Sequence, residues 1–172
     1  MSTHRRRKPR APKKRIEGTY PIDTGTATIV ADPDRDGAYV LEVNNVPSSY
    51  VVPGAPEVLD YDYMEWIADF IQAADLPEPF AAVHLGAAGC ALPSYVQHRW
   101  DSRNIAVELD RGLARLVREV FDPPVEIAVA EARAFTHALA PGSVDVIVRD
   151  VFAGPDTPRP LTTVEFYRAA HR

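Results

Sequence analysis

A chain of 172 residues, 46% of them hydrophobic, is long enough for one domain or a domain with a small appendage. Its single cysteine, Cys90, excludes an internal disulfide framework, and no apolar run approaches the roughly 20 residues of a membrane-spanning helix. The formal net charge of −5 hides an uneven distribution: Met1 to Arg15 holds 8 of the 19 basic residues and no acid, leaving 11 basic against 24 acidic residues.

The first 18 residues read as a basic tail, disordered by composition, with Pro9 and Pro12 breaking any helix. No apolar segment follows Arg5, Arg6 and Arg7, so they do not open an export signal, and a cytoplasmic protein is expected. The tail is either a solubilising leader that folds back on its acidic body or a contact for nucleic acid. No aromatic residue is interleaved in it to stack on bases. The acidic body argues against nucleic acid as the main ligand and suits a cationic substrate.

Residues 19–56 predict a small antiparallel β domain. Thr19 to Val30 alternates and is rich in Thr, Ile and Val, as one strand. Asp32-Pro33-Asp34-Arg35-Asp36-Gly37 is turn chemistry, Ala38 to Val43 the return strand, and Ser48 to Val52 a third strand. Pro53-Gly54-Ala55-Pro56 links to the body, residues 57–172. Asp60 to Ala74 predicts a helix with Leu59, Tyr63, Trp66, Ile67, Phe70 and Ile71 toward the core. Pro77 and Pro79 end it before a strand that opens at Ala81.

That strand, Ala81-Ala82-Val83-His84-Leu85, runs into the small-residue turn Gly86-Ala87-Ala88-Gly89, and a helix follows from Leu92 to Trp100. A second strand ends in acid at Ile105-Ala106-Val107-Glu108-Leu109-Asp110. Strand, tight turn, helix, strand, acid is the order of a nucleotide-binding βαβ unit, in which tiny residues admit a ligand to the backbone and the acid receives ribose hydroxyls. The same residues also fit an ordinary strand–helix turn. Arg111 to Val120 predicts a helix, Val125 to Ala130 a third strand, Glu131-Ala132-Arg133 the start of a short helix, and Val144 to Asp150 a fourth, almost wholly apolar strand. Thr162 or Thr163 caps a last helix that carries Phe166 and Tyr167.

Alternating strands and helices predict an α/β fold with a doubly wound parallel sheet, Rossmann-like, whose ligand lies at the carboxyl ends of the strands. Gly86 to Gly89, Glu108, Glu131 and Asp150 stand at those ends. Three acids there favour a ligand with hydroxyls and a cation. His84 reads as a satisfied core histidine and Cys90 as a small packing residue. No His/Cys cluster has metal-ligand spacing, so no metal is expected.

In order and spacing these segments resemble the spermidine synthase (polyamine aminopropyltransferase) family, in particular its divergent bacterial spermidine-synthase-like members. These combine a small N-terminal β domain with the class I S-adenosylmethionine-dependent methyltransferase fold. The resemblance runs from about Tyr20 to the end. Asp60 to Glu65 is similar to the family's acid-rich Tyr-His-Glu helix, with Met64 in place of histidine. His84-Leu85-Gly86-Ala87-Ala88-Gly89 stands where the family has a Gly-Gly-Gly-Asp-Gly-Gly loop, and Val107-Glu108-Leu109-Asp110 matches its Val-Glu-Ile-Asp. Glu131-Ala132 stands in place of its adenine-holding Asp-Ala, and Val144 to Asp150 matches the strand that ends in its catalytic aspartate.

The resemblance implies a transferase that moves an aminopropyl group from decarboxylated S-adenosylmethionine to a small-molecule amine. Asp150 and Tyr63 would be catalytic. Gly86, Ala87, Ala88, Gly89, Glu108, Leu109, Glu131 and Ala132 would bind the donor, and Tyr63, Glu65, Ser48 and Asp150 the acceptor. S-adenosylmethionine as donor for methyl transfer, and a non-catalytic nucleoside-binding module, stay open beside it. Asp150-Val151-Phe152-Ala153 has alanine where the family carries a second acid, Ser48 stands for a glutamine, and the glycine loop has lost its acid. Turnover of the diamine putrescine is therefore expected to be slow or absent. The family fold continues with further strands beyond the last helix, so the sheet is expected to be truncated here, with Val144 at an open edge and a homodimer as one way to cover it.

Overall fold

The computed structural model describes residues 16–152 and 156–172. The basic stretch 1–15 and Ala153 lie outside the described residues, so the expectations for the tail and for the lost second acid are not addressed by it.

The described residues form two sheets. The first is antiparallel, in the order β1 (Gly18–Ile22), β2 (Gly25–Ala31), β3 (Tyr39–Val43), β4 (Val46–Val51). The expected single strand from Thr19 to Val30 is in fact two, because the chain turns at Asp23 and Thr24. The β-rich alternation continues through this turn and conceals it. What fixes it is distant: Asp110 accepts from Asp23 N at 3.1 Å, Thr24 N at 2.7 Å and Thr24 Oγ1 at 2.7 Å. Asp110 also accepts from Leu113 N at 2.8 Å, as the N-cap of α3 (Arg111–Val120). One buried carboxylate thus joins the small sheet to the body.

Burial alone would raise the pKa of Asp110, but the bonds from Leu113, Thr24 and Asp23 outweigh it and hold the carboxyl below its usual value of 3.8. The unfolded chain therefore takes up the proton first. The stabilisation is present above pH 3.8 and is lost as the pH falls through the lower folded value. Asp110→Ala is expected to cost about 2–4 kcal/mol at neutral pH. Asp110→Asn should melt lower than the parent at pH 7 and show a flatter acid limb. Equal acid limbs in the two proteins would refute this role.

The second sheet is parallel, in the order β7 (Glu126–Val129), β6 (Arg103–Glu108), β5 (Ala81–Leu85), β8 (Val146–Arg149). From β5 the chain steps outward to β6 and β7, then returns to the other side of β5 for β8. The strand order therefore reverses between β5 and β8, and a ligand crevice opens at such a switch point. Among the described strands β8 stands at the sheet's edge, as expected for the Val144 segment.

Both faces are covered. On one, Ala82 and Val148 pack with α1 (Asp62–Ala73) and α2 (Ala91–Arg99), and Ala106 and Ile127 pack with α3. On the other, Val83, Leu85 and Val107 meet α4 (Ala132–Ala138) and Phe166 of α5 (Val164–His171). Thr163 is the cap of α5, accepting from Phe166 N. The cluster around α3 also contains Ala27, Ile29 and Leu41, so the antiparallel sheet shares a core with the parallel one.

The inward face of α1 differs from the expected stripe. Met64, Ala68 and Ile71 are buried, with Ile67 packed beside them, whereas Trp66 is 61% exposed, Phe70 77% and Tyr63 37%. Apolar residues cover more than half the circumference of this helix. Spacing alone therefore fits two stripes that share Ile67 and Ile71.

Candidate functional site

At the switch point the chain leaves β5 through a turn that only glycine enters without strain. Gly86 has φ +90, and its N–H donates to Val107 O at 2.9 Å. A Cβ at this position would lie 2.2 Å from the backbone carbonyl oxygen of Asp150. On the other side of the same contact, Asp150 N donates to Leu85 O at 2.8 Å. The absence of a side chain at Gly86 is thus what brings the ends of β5 and β8 together. The turn continues through Ala88 at φ 40 and Cys90 at φ 61, both in the left-handed region that L-residues avoid.

A cavity of about 800 Å³ opens above these strand ends. Its wall includes Gly86, Ala87, Ala88, Glu108, Leu109, Glu131, Ala132, Tyr63, Ser48 and Asp150, all of them singled out by the sequence. Two of the sequence-derived candidates stand elsewhere. Glu65 is exposed on α1 and does not line the cavity. Gly89 packs against the small sheet instead, its N–H donating to Ser49 Oγ at 2.9 Å. A Cβ on Gly89 would meet Val51 Cγ2 at 2.7 Å, so the lack of a side chain there lets the turn pack closely on β4.

The three strand-end acids differ. Glu131 caps α4, accepting from Arg133 N at 2.9 Å and Ala134 N at 2.7 Å, so both of its oxygens hold backbone. Glu108 holds the glycine turn: Oε2 accepts from Ala87 N at 3.3 Å and Oε1 from Asp110 N at 2.9 Å. Burial raises the pKa of Glu108 above the ordinary carboxylate value, against the pull of these amides. Asp150 is held by a side chain: Tyr63 donates its hydroxyl to Oδ2 at 2.9 Å, across from α1 to β8. Burial also pushes the Asp150 carboxyl up, against the opposing effects of Tyr63 and Arg149. The Tyr63 hydroxyl is raised in turn, by burial first and then by Asp150, so it remains a donor. Tyr61 stacks on Tyr63 with ring centroids 6.2 Å apart and helps to fix it.

Glu108, Asp110, Glu131 and Asp150 are the charged residues of the wall; no lysine or arginine is among its described residues. Much of the remaining wall is apolar, including Met64, Leu92, Val107, Val148 and Phe152. Such a crevice attracts cations, because Glu108 and Asp150, which burial holds above their usual pKa, regain favourable energy when positive charge enters. Among the described residues no group of three or more His, Cys, Asp or Glu could hold a metal ion, and no helix is long and apolar enough to cross a membrane. Cys90 is fully buried, and burial pushes its thiol up to about 12, in keeping with a packing role.

Sequence reasoning missed the roles of Asp110, Ser49 and Met64. The helix-capping position of Asp110 was a legible signal. The pairing of Ser49 with Gly89 spans 40 residues and left none.

A parallel sheet with a glycine turn and an acid at adjacent strand ends, both faces covered by helices, has the class I methyltransferase type of fold. Human methyltransferase-like protein 13, solved in complex with SAH, shares this fold at 21% identity and a TM-score of 0.56; the match covers 64% of this chain and 59% of that one. Within that fold the chain is similar to a spermidine synthase. A probable spermidine synthase from Corynebacterium glutamicum matches it at 40% identity with a TM-score of 0.85, over 92% of this chain. The family resemblance legible in the sequence therefore holds over nearly the whole chain, which spans 60% of the length of that relative. No protein-family model matches the chain, and no curated protein matches it.

Proposed function

We infer that the cavity binds decarboxylated S-adenosylmethionine and an amine, and that the protein transfers the aminopropyl group between them. The observation that carries this reading is the Tyr63–Asp150 pair, set at the switch point beside the Gly86 turn in a crevice lined by acids. The 40%-identical probable spermidine synthase supports it. In the reaction the amine nitrogen attacks the methylene carbon next to the sulfonium. A C–N bond forms and the C–S bond breaks. The sulfur keeps the electron pair and leaves as the neutral thioether methylthioadenosine. The nucleophile must be unprotonated, against an aqueous pKa of about 10 for an alkylamine such as lysine's. Asp150 takes its proton, and Tyr63 holds the carboxylate in line. Glu108 receives the ribose hydroxyls, while Ala87 and Ala88 let the nucleoside lie against the turn. Leu109, Glu131 and Ala132 flank the base, and Ser48 faces the acceptor.

The ligand class is tested by titrating methylthioadenosine into the protein calorimetrically. Saturable binding is expected, and Glu108→Ala should weaken it by about 1–3 kcal/mol. Absence of heat, with no competition by S-adenosyl compounds, would remove the assignment.

A further inference from the structure

The buried histidine of β5 is only half satisfied. His84 is 1% exposed, and its Nε2 lies 2.8 Å from Asn104 Oδ1. The amide of Asn104 is oriented by its other end, since Nδ2 donates to the backbone carbonyl of Ser102 at 3.2 Å and to Ser102 Oγ at 2.7 Å. Ser102 Oγ in turn donates to Val96 O at 3.1 Å. The chain of donors therefore runs one way. Asn104 presents its oxygen to the ring, Nε2 carries the hydrogen, and Nδ1 is left with a bare lone pair. Nδ1 is a buried side-chain polar atom with no hydrogen-bond partner among the described residues. Such an orphan destabilises the fold unless a partner reaches it.

His84 also lines the cavity. In register it pairs with Val148 on β8, so Asp150, two residues further along, projects from the same face of the sheet. A strand rise of roughly 3.3 Å and a strand spacing of about 4.8 Å place the two Cα atoms about 8 Å apart. A ligand amine near Asp150 is thus within a side chain's reach of His84. Burial lowers the imidazole's pKa to about 4, which keeps the ring neutral and its Nδ1 an acceptor at physiological pH.

Resting on the function proposed above, we propose that His84 Nδ1 is a donor-recognition site that accepts a hydrogen bond from the ammonium at the end of the three-carbon arm of decarboxylated S-adenosylmethionine. Two ligands separate this role from a structural one: decarboxylated S-adenosylmethionine carries the three-carbon arm with its ammonium, on a sulfonium, and methylthioadenosine is the neutral thioether without that arm. In calorimetric titration His84→Leu should bind the former roughly 10- to 100-fold more weakly and the latter as the parent does. Equal losses for both ligands, or no loss for either, would overturn the proposal. The parent protein supplies a second readout, for the case that the leucine variant does not fold. In nitrogen-15 spectra the unprotonated Nδ1 resonance should shift on saturation with decarboxylated S-adenosylmethionine and stay in place with methylthioadenosine. A resonance that moves with neither, as when a bound water already occupies Nδ1, would overturn it. A parent that binds neither compound would instead remove the proposed function itself, and this inference with it.

Discussion

Asp150→Asn is expected to lower aminopropyl transfer by 10²–10⁴-fold, the usual loss on removal of a general base, while leaving affinity for methylthioadenosine nearly unchanged. The substitution keeps the size and planarity of the side chain, so an Oδ remains to accept from the Tyr63 hydroxyl. What it removes is the capacity to take a proton. Burial holds the Asp150 carboxyl above its ordinary pKa, which makes the carboxylate a better base than a solvated aspartate. Tyr63→Phe should cost less, since it loosens the carboxylate without removing it. Rates of methylthioadenosine release across a panel of amines measure both variants. An asparagine variant as fast as the parent would end the catalytic assignment. One that loses nucleoside affinity in equal measure would place Asp150 in the scaffold instead.

Gly86→Ala is expected to cost about 3 kcal/mol or more in stability and to abolish nucleoside binding. Two effects add. A side chain at φ +90 is strained by about 1–3 kcal/mol, and the new Cβ lies 2.2 Å from the Asp150 carbonyl oxygen, a backbone atom that cannot rotate away. The ends of β5 and β8 must part, and with them the Asp150 N–H bond to Leu85. Gly37→Ala is the control: Gly37 has φ +82 but nothing within 4 Å of its would-be Cβ. It should pay the strain alone, about 1–2 kcal/mol, and keep nucleoside affinity. Gly86→Ala and Gly37→Ala proteins with equal melting temperatures would show that the contact at the switch point is not what matters.

The sequence-legible parts of this molecule are those set by local pattern. The four parallel strands, the helix from Arg111 to Val120 and the cap at Thr163 follow from apolar runs, periodicity and capping chemistry. The glycine turn and the acids after it were legible for the same reason, as residues at fixed offsets from strand ends. What escaped was set by contacts across the chain. The turn at Asp23 and Thr24 is held by Asp110, 86 and 87 positions away. Gly89 resembles a ligand glycine in sequence but answers to Ser49. The core face of α1 was ambiguous because Trp66 and Phe70 fit a helical stripe as well as Met64 and Ala68 do. Glu65, one residue from Met64, is turned away from the cavity by that same choice of face. For His84, whether it is satisfied depends on which way Asn104 is turned, and no spacing rule encodes that.

The most direct test of the account is a product measurement. The protein is incubated with decarboxylated S-adenosylmethionine and a panel of amines, and separately with S-adenosylmethionine and the same panel, and the products are weighed by mass spectrometry. The account predicts methylthioadenosine together with an aminopropylated amine in the first incubation, with putrescine among the poorest acceptors, and no S-adenosylhomocysteine in the second. Methylated product with S-adenosylhomocysteine, or no product from either donor, would contradict it.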